Sequence, residues 1–313
     1  MKEAIEVVEQ VWRKVAQGLI TLAGNEELIV DPPAARNRAS EQRASIPPLG
    51  VFGVKWGTNF LNRPQGTALH YGIVILNDAR DGKPVAMVDS RSITTIRTGA
   101  NAAVAAKYLA QQDSRTLAIL GCGQQGRSHL SALATLFRFE TVRLYDVHAE
   151  QVAAFIRDME PLVADADMVP ASSAREAVAD ANVVCMVTAA NEPLVMEAWI
   201  PRGCFVCGTA QFRDLDVKLA KTADKFVVGY RPQDSERLFK RYPGLAGWIS
   251  PEDIYADTPD LAGGKRPGRE NDEERILYVF TGYGVLDVAI AHLANTNARA
   301  RGMGVTINLS PAG

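Results

Sequence analysis

Residues 116–126 read TLAILGCGQQG. A short apolar run is followed by Gly121, Gly123 and Gly126 in G-x-G-x-x-G spacing. That spacing alone is a weak signal, so its surroundings decide. The run before it reads as a strand, and residues 124–136 after it read as a helix. A second strand follows over 141–147 (TVRLYDV), carrying Asp146 twenty residues beyond Gly126. Strand, glycines, helix and a distal acid in this order form a dinucleotide-binding fingerprint. Gly121 makes the tight turn, Gly123 lets the backbone approach a pyrophosphate, and Gly126 lets the helix lie close to the strand. The free N–H groups of the helix start attract phosphate. Asp146 is placed to accept hydrogen bonds from ribose hydroxyls and to repel a 2′-phosphate, so NAD is the expected cofactor and NADP the alternative. Gln124, Gln125 and Val147 fall inside the same expected site. The bland alternative, a glycine-rich turn beside a surface aspartate, does not account for the agreement of order and spacing.

Working outward, residues 114–228 alternate strands with helices. The runs at 181–188, 204–208 and 225–229 are nearly all apolar, as parallel strands buried on both faces are. This is an α/β pattern, a doubly wound parallel sheet of Rossmann type. Before it, VFGVKWGTNF (51–60), LHYGIVILND (69–78) and PVAMVDS (84–90) read as antiparallel strands, with Asp81-Gly82 as a hairpin turn. The alanine-rich stretch 93–111 reads as a helix capped by Thr94 or Thr95. Residues 256–274 read as an exposed charged loop. Residues 281–302 read as a helix with Val285, Val288, Ala289, His292 and Leu293 on one side.

The bulk figures exclude several function classes. The chain has 313 residues, 47% hydrophobic and 22% charged, which is ordinary for a folded protein of two domains. A net charge of -2 leaves no electrostatic footprint for nucleic acid. No apolar run is long enough to span a bilayer, and the N-terminal stretch lacks a signal peptide's apolar core. The four cysteines lie in or beside apolar runs, consistent with a cytoplasmic protein. Cys204 and Cys207 form C-x-x-C, but on a strand residues three apart face opposite sides, so no metal site is expected.

The chemistry has to come from elsewhere. VTAANEPLV (187–195) ends the fourth Rossmann strand, where small residues such as Thr188 and Ala189 would leave room for the nicotinamide half of a cofactor, a plain strand-to-helix turn being the alternative. Lys55 sits between Val54 and Trp56 in an apolar strand, a place a lysine takes when its ammonium reaches a cleft or the surface. Arg97, near the start of the alanine-rich helix, suits a carboxylate. Snorkelling or salt-bridged side chains are the plain alternatives for both.

GVKW, PVAMVDSRSITTIRTGANAAVAAKYLA, AILGCGQQGRSHLSAL, VRLYDV and FTGYGVLDVAIAHL, in this order, resemble the ornithine cyclodeaminase/mu-crystallin family over nearly the whole chain after residue 30. The resemblance implies a Rossmann domain, residues 113–280, inserted in an α+β substrate-binding and dimerisation domain made of 1–112 and 281–313. It implies a homodimer, small amino or imino acid substrates and NAD(P) chemistry. It makes Lys55 and Arg97 ligands of the substrate carboxylate, with an upstream arginine as a third, for which DPPAARNRASEQR offers Arg36, Arg38 and Arg43 and the Pro-x-x-Arg context points to Arg36. Arg97 and Thr98 are also expected in the cofactor site. One departure matters. Where cyclodeaminases carry an aspartate after the fifth Rossmann strand, this chain has Thr209, Ala210 and Gln211, with Asp214 and Asp216 further on.

The expected activity is that of an NAD-dependent amino acid dehydrogenase or imine reductase, with hydride exchanged between nicotinamide and the substrate Cα. Lys55 is its candidate acid/base. A cyclodeaminase using catalytic NAD and a non-enzymatic mu-crystallin-like ligand binder are the rival readings. No nucleic acid or membrane partner is expected.

Overall fold

The structure is a computed structural model that describes residues 1–30, 37–60, 70–209, 213–241 and 248–308. The chain forms two compact units, one of Met1–Leu19 with Thr94–Tyr283 and one of Ile20–Ile93 with Gly284–Gly313.

The first unit is built on an eight-stranded, wholly parallel sheet. Its strands are β7 (Thr116–Leu120), β8 (Thr141–Tyr145), β9 (Asp167–Pro170), β10 (Val183–Met186), β11 (Phe205–Thr209), β12 (Lys225–Val228), β13 (Ala256–Asp257) and β14 (Ile276–Phe280). Their order is β13-β12-β14-β11-β10-β7-β8-β9. The six strands β9-β8-β7-β10-β11-β14 therefore reproduce the 3-2-1-4-5-6 order of a dinucleotide-binding sheet, and β12 and β13 extend it at one edge. Every residue of β10, β11, β12 and β14 is buried, the reason their sequences are almost continuously apolar. The switch in strand order falls at β7, which pairs with β8 on one side and β10 on the other.

Helices α3 (Gln124–Leu133), α4 (Ala149–Met159), α5 (Ala174–Val178), α6 (Val217–Thr222), α7 (Arg231–Glu236) and α8 (Thr258–Ala262) connect the strands. The N-terminal helix α1 (Lys2–Ala16) and most of the alanine-rich α2 (Ser90–Leu109) belong to the same unit. Buried polar bonds tie them in. The Trp12 indole donates to Asn101 at 2.7 Å, and Asn101 donates to the Tyr278 hydroxyl at 2.9 Å. Glu9 accepts from Lys107 and Tyr108. This division differs from the boundary expected at 112/113, because α1 and α2 spend their buried faces on the parallel-sheet unit.

The second unit is a six-stranded antiparallel sheet: β1 (Thr21–Leu22), β2 (Glu26–Ile29), β3 (Asn37–Ile46), β4 (Val51–Phe60), β5 (His70–Asp78) and β6 (Pro84–Asp89). Helix α9 (Gly284–Ala300) packs on β3, β4 and β5. Alternation along β4 sends Val51, Gly53, Lys55 and Gly57 inward, all buried, and leaves Phe52 and Trp56 exposed on the opposite face.

Two local expectations are corrected. Helix α2 starts at Ser90, so Thr94 and Thr95 lie inside it and neither caps it. The stretch 256–274 is not all exposed loop: Thr258, Pro259 and Leu261 are buried in α8, which has a capping box between Asp257 and Asp260 and packs on α1. Strand β14, five apolar residues immediately after that charged stretch, had no counterpart in the sequence reading.

Candidate functional site

The glycine loop has the geometry its spacing implies. Gly121 adopts φ +102°, and a methyl group there would sit 2.6 Å from the Val187 carbonyl oxygen at the end of β10. The loop thus borders the crevice outside β7 and β10, where strand order switches. A methyl at Gly126 would run into the Gly121 carbonyl and lie 3.2 Å from Phe155, so helix α3 can approach β7 only without a side chain. A methyl at Gly123 would meet nothing within 4 Å. That open space lies at the N-cap of α3, where no side chain caps the helix and the first N–H groups stay free for an anion.

Asp146 is fixed beside this loop. It accepts the Cys122 N–H at 2.8 Å and the His148 N–H at 3.0 Å. Each oxygen keeps a second lone pair for a ribose hydroxyl. Val147 next to it is 76% exposed, and the amide oxygen of Gln125 is buried with no hydrogen-bond partner among the described residues. An open cradle, an uncapped helix start and a braced carboxylate fit a dinucleotide. Arg127, which the sequence reading missed, braces the loop from behind. Its Nη1 donates to the Cys122 carbonyl at 2.5 Å while Nη2 pairs with Asp158 at 2.7 Å. Nothing in its position one residue after the glycines distinguishes it from a surface arginine.

Helix α2 lies against α3. Ser128 donates to the Thr95 carbonyl at 2.6 Å, and Gly99 faces the Ser128 backbone so closely that a methyl would overlap it. Arg97 and Thr98 are buried on α2 in this unit, and the Thr98 hydroxyl donates to the Thr94 carbonyl.

At the carboxyl ends of β10 and β11, Thr188 donates to Asp214 at 2.8 Å and accepts the Ala190 N–H at 3.2 Å. Asp214 is 1% exposed, and burial pushes its carboxyl up to about 6. Asp216 is a helix cap, accepting the Lys218 N–H at 3.0 Å. Thr209, the first of the three residues at the place of the cyclodeaminase aspartate, lies 3.1 Å from His129 Nε2. The residues after it, Ala210 and Gln211, lie outside the described residues, as does Arg36.

In the second unit, Lys55 is 5% exposed and its Nζ lies 3.4 Å from the Asp287 carboxylate. Lys55 is paired in register with Gln42 on β3, whose amide oxygen is buried without a hydrogen-bond partner among the described residues.

The sequence profile of the ornithine cyclodeaminase/mu-crystallin family matches residues 1–302. The chain belongs to that family. Among its relatives is alanine dehydrogenase of Archaeoglobus fulgidus, 29% identical over 98% of this chain and 94% of the relative. Two solved structures match closely. The Thermococcus litoralis Delta(1)-pyrroline-2-carboxylate reductase, in complex with NADH and L-proline, has a TM-score of 0.91 at 27% identity, over 98% of this chain and 96% of the other. An archaeal alanine dehydrogenase dimer with bound NAD has a TM-score of 0.90 at 28% identity, over 99% and 95%. Both share the fold of this chain along its whole length.

Asp287 sits in the apolar run GVLDVAIAH, and the helical face proposed for 281–302 took in the residues around it but not the acid. A carboxylate inside an otherwise apolar helix was the available signal. His129 gave no such signal, since a single histidine in a helix is more often a packed side chain than a site.

Proposed function

We propose that this protein is an NAD-dependent oxidoreductase of small amino or imino acids, an amino acid dehydrogenase or imine reductase. The observation that carries the reading is the open, uncapped glycine loop beside a braced Asp146, in a chain that also buries a lysine. Gly121, Gly123, Gln124, Gln125 and Gly126 hold the pyrophosphate side of the cofactor, Asp146 and Val147 the adenosine side, and Thr188 and Ala189 the nicotinamide side. When bound, NAD(H) supplies or accepts the hydride exchanged with the substrate Cα. Lys55 and Arg97 bind the substrate carboxylate, with Arg36 as a third cation, and Lys55 moves the proton at the substrate nitrogen. The relatives support this reading, since alanine dehydrogenase and pyrroline-2-carboxylate reductase act on molecules with a carboxylate next to a reacting C–N bond. A cyclodeaminase has less support, because Thr209, Ala210 and Gln211 occupy the place where the resemblance sets an aspartate.

The outward face of the antiparallel sheet carries Phe52, Trp56, Tyr71 and Met87, between 38% and 63% exposed. This apolar face is the proposed homodimer contact, in keeping with the dimeric archaeal alanine dehydrogenase.

The test is a panel of 2-oxo acids with ammonia, and of cyclic imino acids, followed by the loss of NADH absorbance. Turnover on one of them is expected. Lys55→Met keeps the stem of the side chain and is expected to lower kcat/KM on that substrate by about 100-fold or more, the scale of general acid–base help, with NADH binding retained. Ammonia release from ornithine with no net change in NADH would instead establish a cyclodeaminase.

A further inference from the structure

The Lys55–Asp287 pair is 3.4 Å long, with side chains 7% and 0% exposed. An exposed pair at that distance would carry little information. A buried one is different, because both charges have left water and removing either strands the other. The local sequence brings the two together. On β4, a methyl at Gly53 would lie 3.3 Å from Val288 of α9. At the start of α9, a methyl at Gly284 would lie 2.7 Å from the backbone of Gln42. Two glycines therefore let the first turn of α9 rest directly on β3 and β4. Lys55 lies two residues beyond Gly53 on the same face, and Asp287 lies in that first turn, where the helix end favours a carboxylate.

Several other charged groups on the elements packed against Lys55 pair elsewhere. On β3, Glu41 pairs with Arg43 at 3.3 Å and Arg38 with Glu27 at 3.4 Å. On β5, His70 is bound to the Thr58 carbonyl and Asp78 is paired with Arg80. The register partners of Lys55 itself are Gln42 and Val74. Further along α9, burial pushes His292 below the ordinary histidine value.

We propose that Asp287 is a positioning residue for Lys55, one that holds the lysine charged and fixed on β4. This rests on Lys55 serving the substrate as proposed above. In imine reduction the hydride goes to carbon and a proton must reach nitrogen. An N–H bond of the Lys55 ammonium breaks, the substrate N–H forms, and a neutral lysine remains. A proton from solvent then restores the ammonium, which the adjacent carboxylate favours.

The test compares wild type, Lys55→Met and Asp287→Asn as full-length proteins on the best substrate of the panel. Asp287→Asn keeps size and removes charge. Its kcat/KM should fall about 10-fold or more, and the alkaline limb of its pH profile should move down by at least about one unit as the buried lysine loses its counter-charge. NADH affinity, read by fluorescence titration, should stay within about twofold. A wild-type rate and an unmoved limb in Asp287→Asn, with Lys55→Met impaired, would overturn the proposal and leave the role of Lys55 standing. A wild-type rate in Lys55→Met overturns both. Should Asp287→Asn fail to fold, Asp287→Glu takes its place. It keeps the charge and shifts it by one methylene, so the limb should stay while kcat/KM falls, and unchanged kcat/KM would reject positioning.

Discussion

His129 Nε2 accepts the Thr209 hydroxyl proton across 3.1 Å. The assignment follows from the other ring nitrogen. Nδ1 lies 2.8 Å from the Gln125 carbonyl oxygen, which only accepts, so Nδ1 carries the proton and Nε2 does not. The ring is fully buried and burial pushes it down to about 4. A neutral histidine thus binds the Thr209 hydroxyl at the end of β11.

That depressed histidine sets a pH dependence. The unfolded chain takes up the proton near 6.5 and the folded one only near 4. The His129 contribution is therefore complete above about 6.5 and is lost as pH falls through about 4, a span on the order of 3 kcal/mol. Asp214 and Asp234, both raised to about 6 by burial, have the opposite slope. The difference between wild type and His129→Gln isolates the histidine. Urea unfolding from pH 4 to 7 should show wild type gaining stability with pH relative to the variant. Parallel curves would show that the ring is not buried neutral.

Gly123 and Gly126 should separate binding from folding. Gly123→Ala meets no neighbour and keeps φ −82°, so its melting temperature should match wild type while NADH binding weakens about 10-fold as the methyl fills the cradle. Gly126→Ala drives a methyl into the Gly121 carbonyl and should lose about 1–3 kcal/mol of stability. Unchanged NADH affinity in Gly123→Ala would place the pyrophosphate elsewhere.

We expect cofactor choice to depend on Asp146. Wild type should bind NADH more tightly than NADPH, and Asp146→Ser should narrow the ratio about 10-fold by removing the charge that opposes a 2′-phosphate. Fluorescence titration of both cofactors checks this, and equal affinities in wild type would reject it.

The outward sheet face predicts assembly. Light scattering should find a dimer at micromolar concentration. Trp56→Lys with Met87→Lys should yield a monomer, since two charges would have to be desolvated in the contact. A wild-type monomer, or an intact dimer in the double variant, would remove this face from consideration.

Much of the first unit was legible because its signals are local. Near-continuous apolar runs marked buried parallel strands, and glycine spacing marked the loop, since backbone conformation and close approach depend on the residue itself. β14 was missed because five apolar residues after a charged segment carry no period that separates strand from helix. The exposed-loop reading of 256–274 failed for a related reason. Whether Thr258 and Leu261 are buried depends on α1, more than 240 residues earlier in the chain.

By itself the sequence determined the class of fold, the dinucleotide fingerprint, Lys55 and Arg97 as unusual cations, and the missing cyclodeaminase aspartate. The first three are properties of residue type and spacing along the chain, and the last follows from the family resemblance. The tertiary structure decided which groups those residues meet: Asp287 for Lys55, His129 for Thr209, Asp214 for Thr188 and the brace of Arg127 behind the glycine loop. Each pair joins positions far enough apart in sequence, or hidden enough on a helix, that no periodicity records it, and only close packing brings the partners within reach.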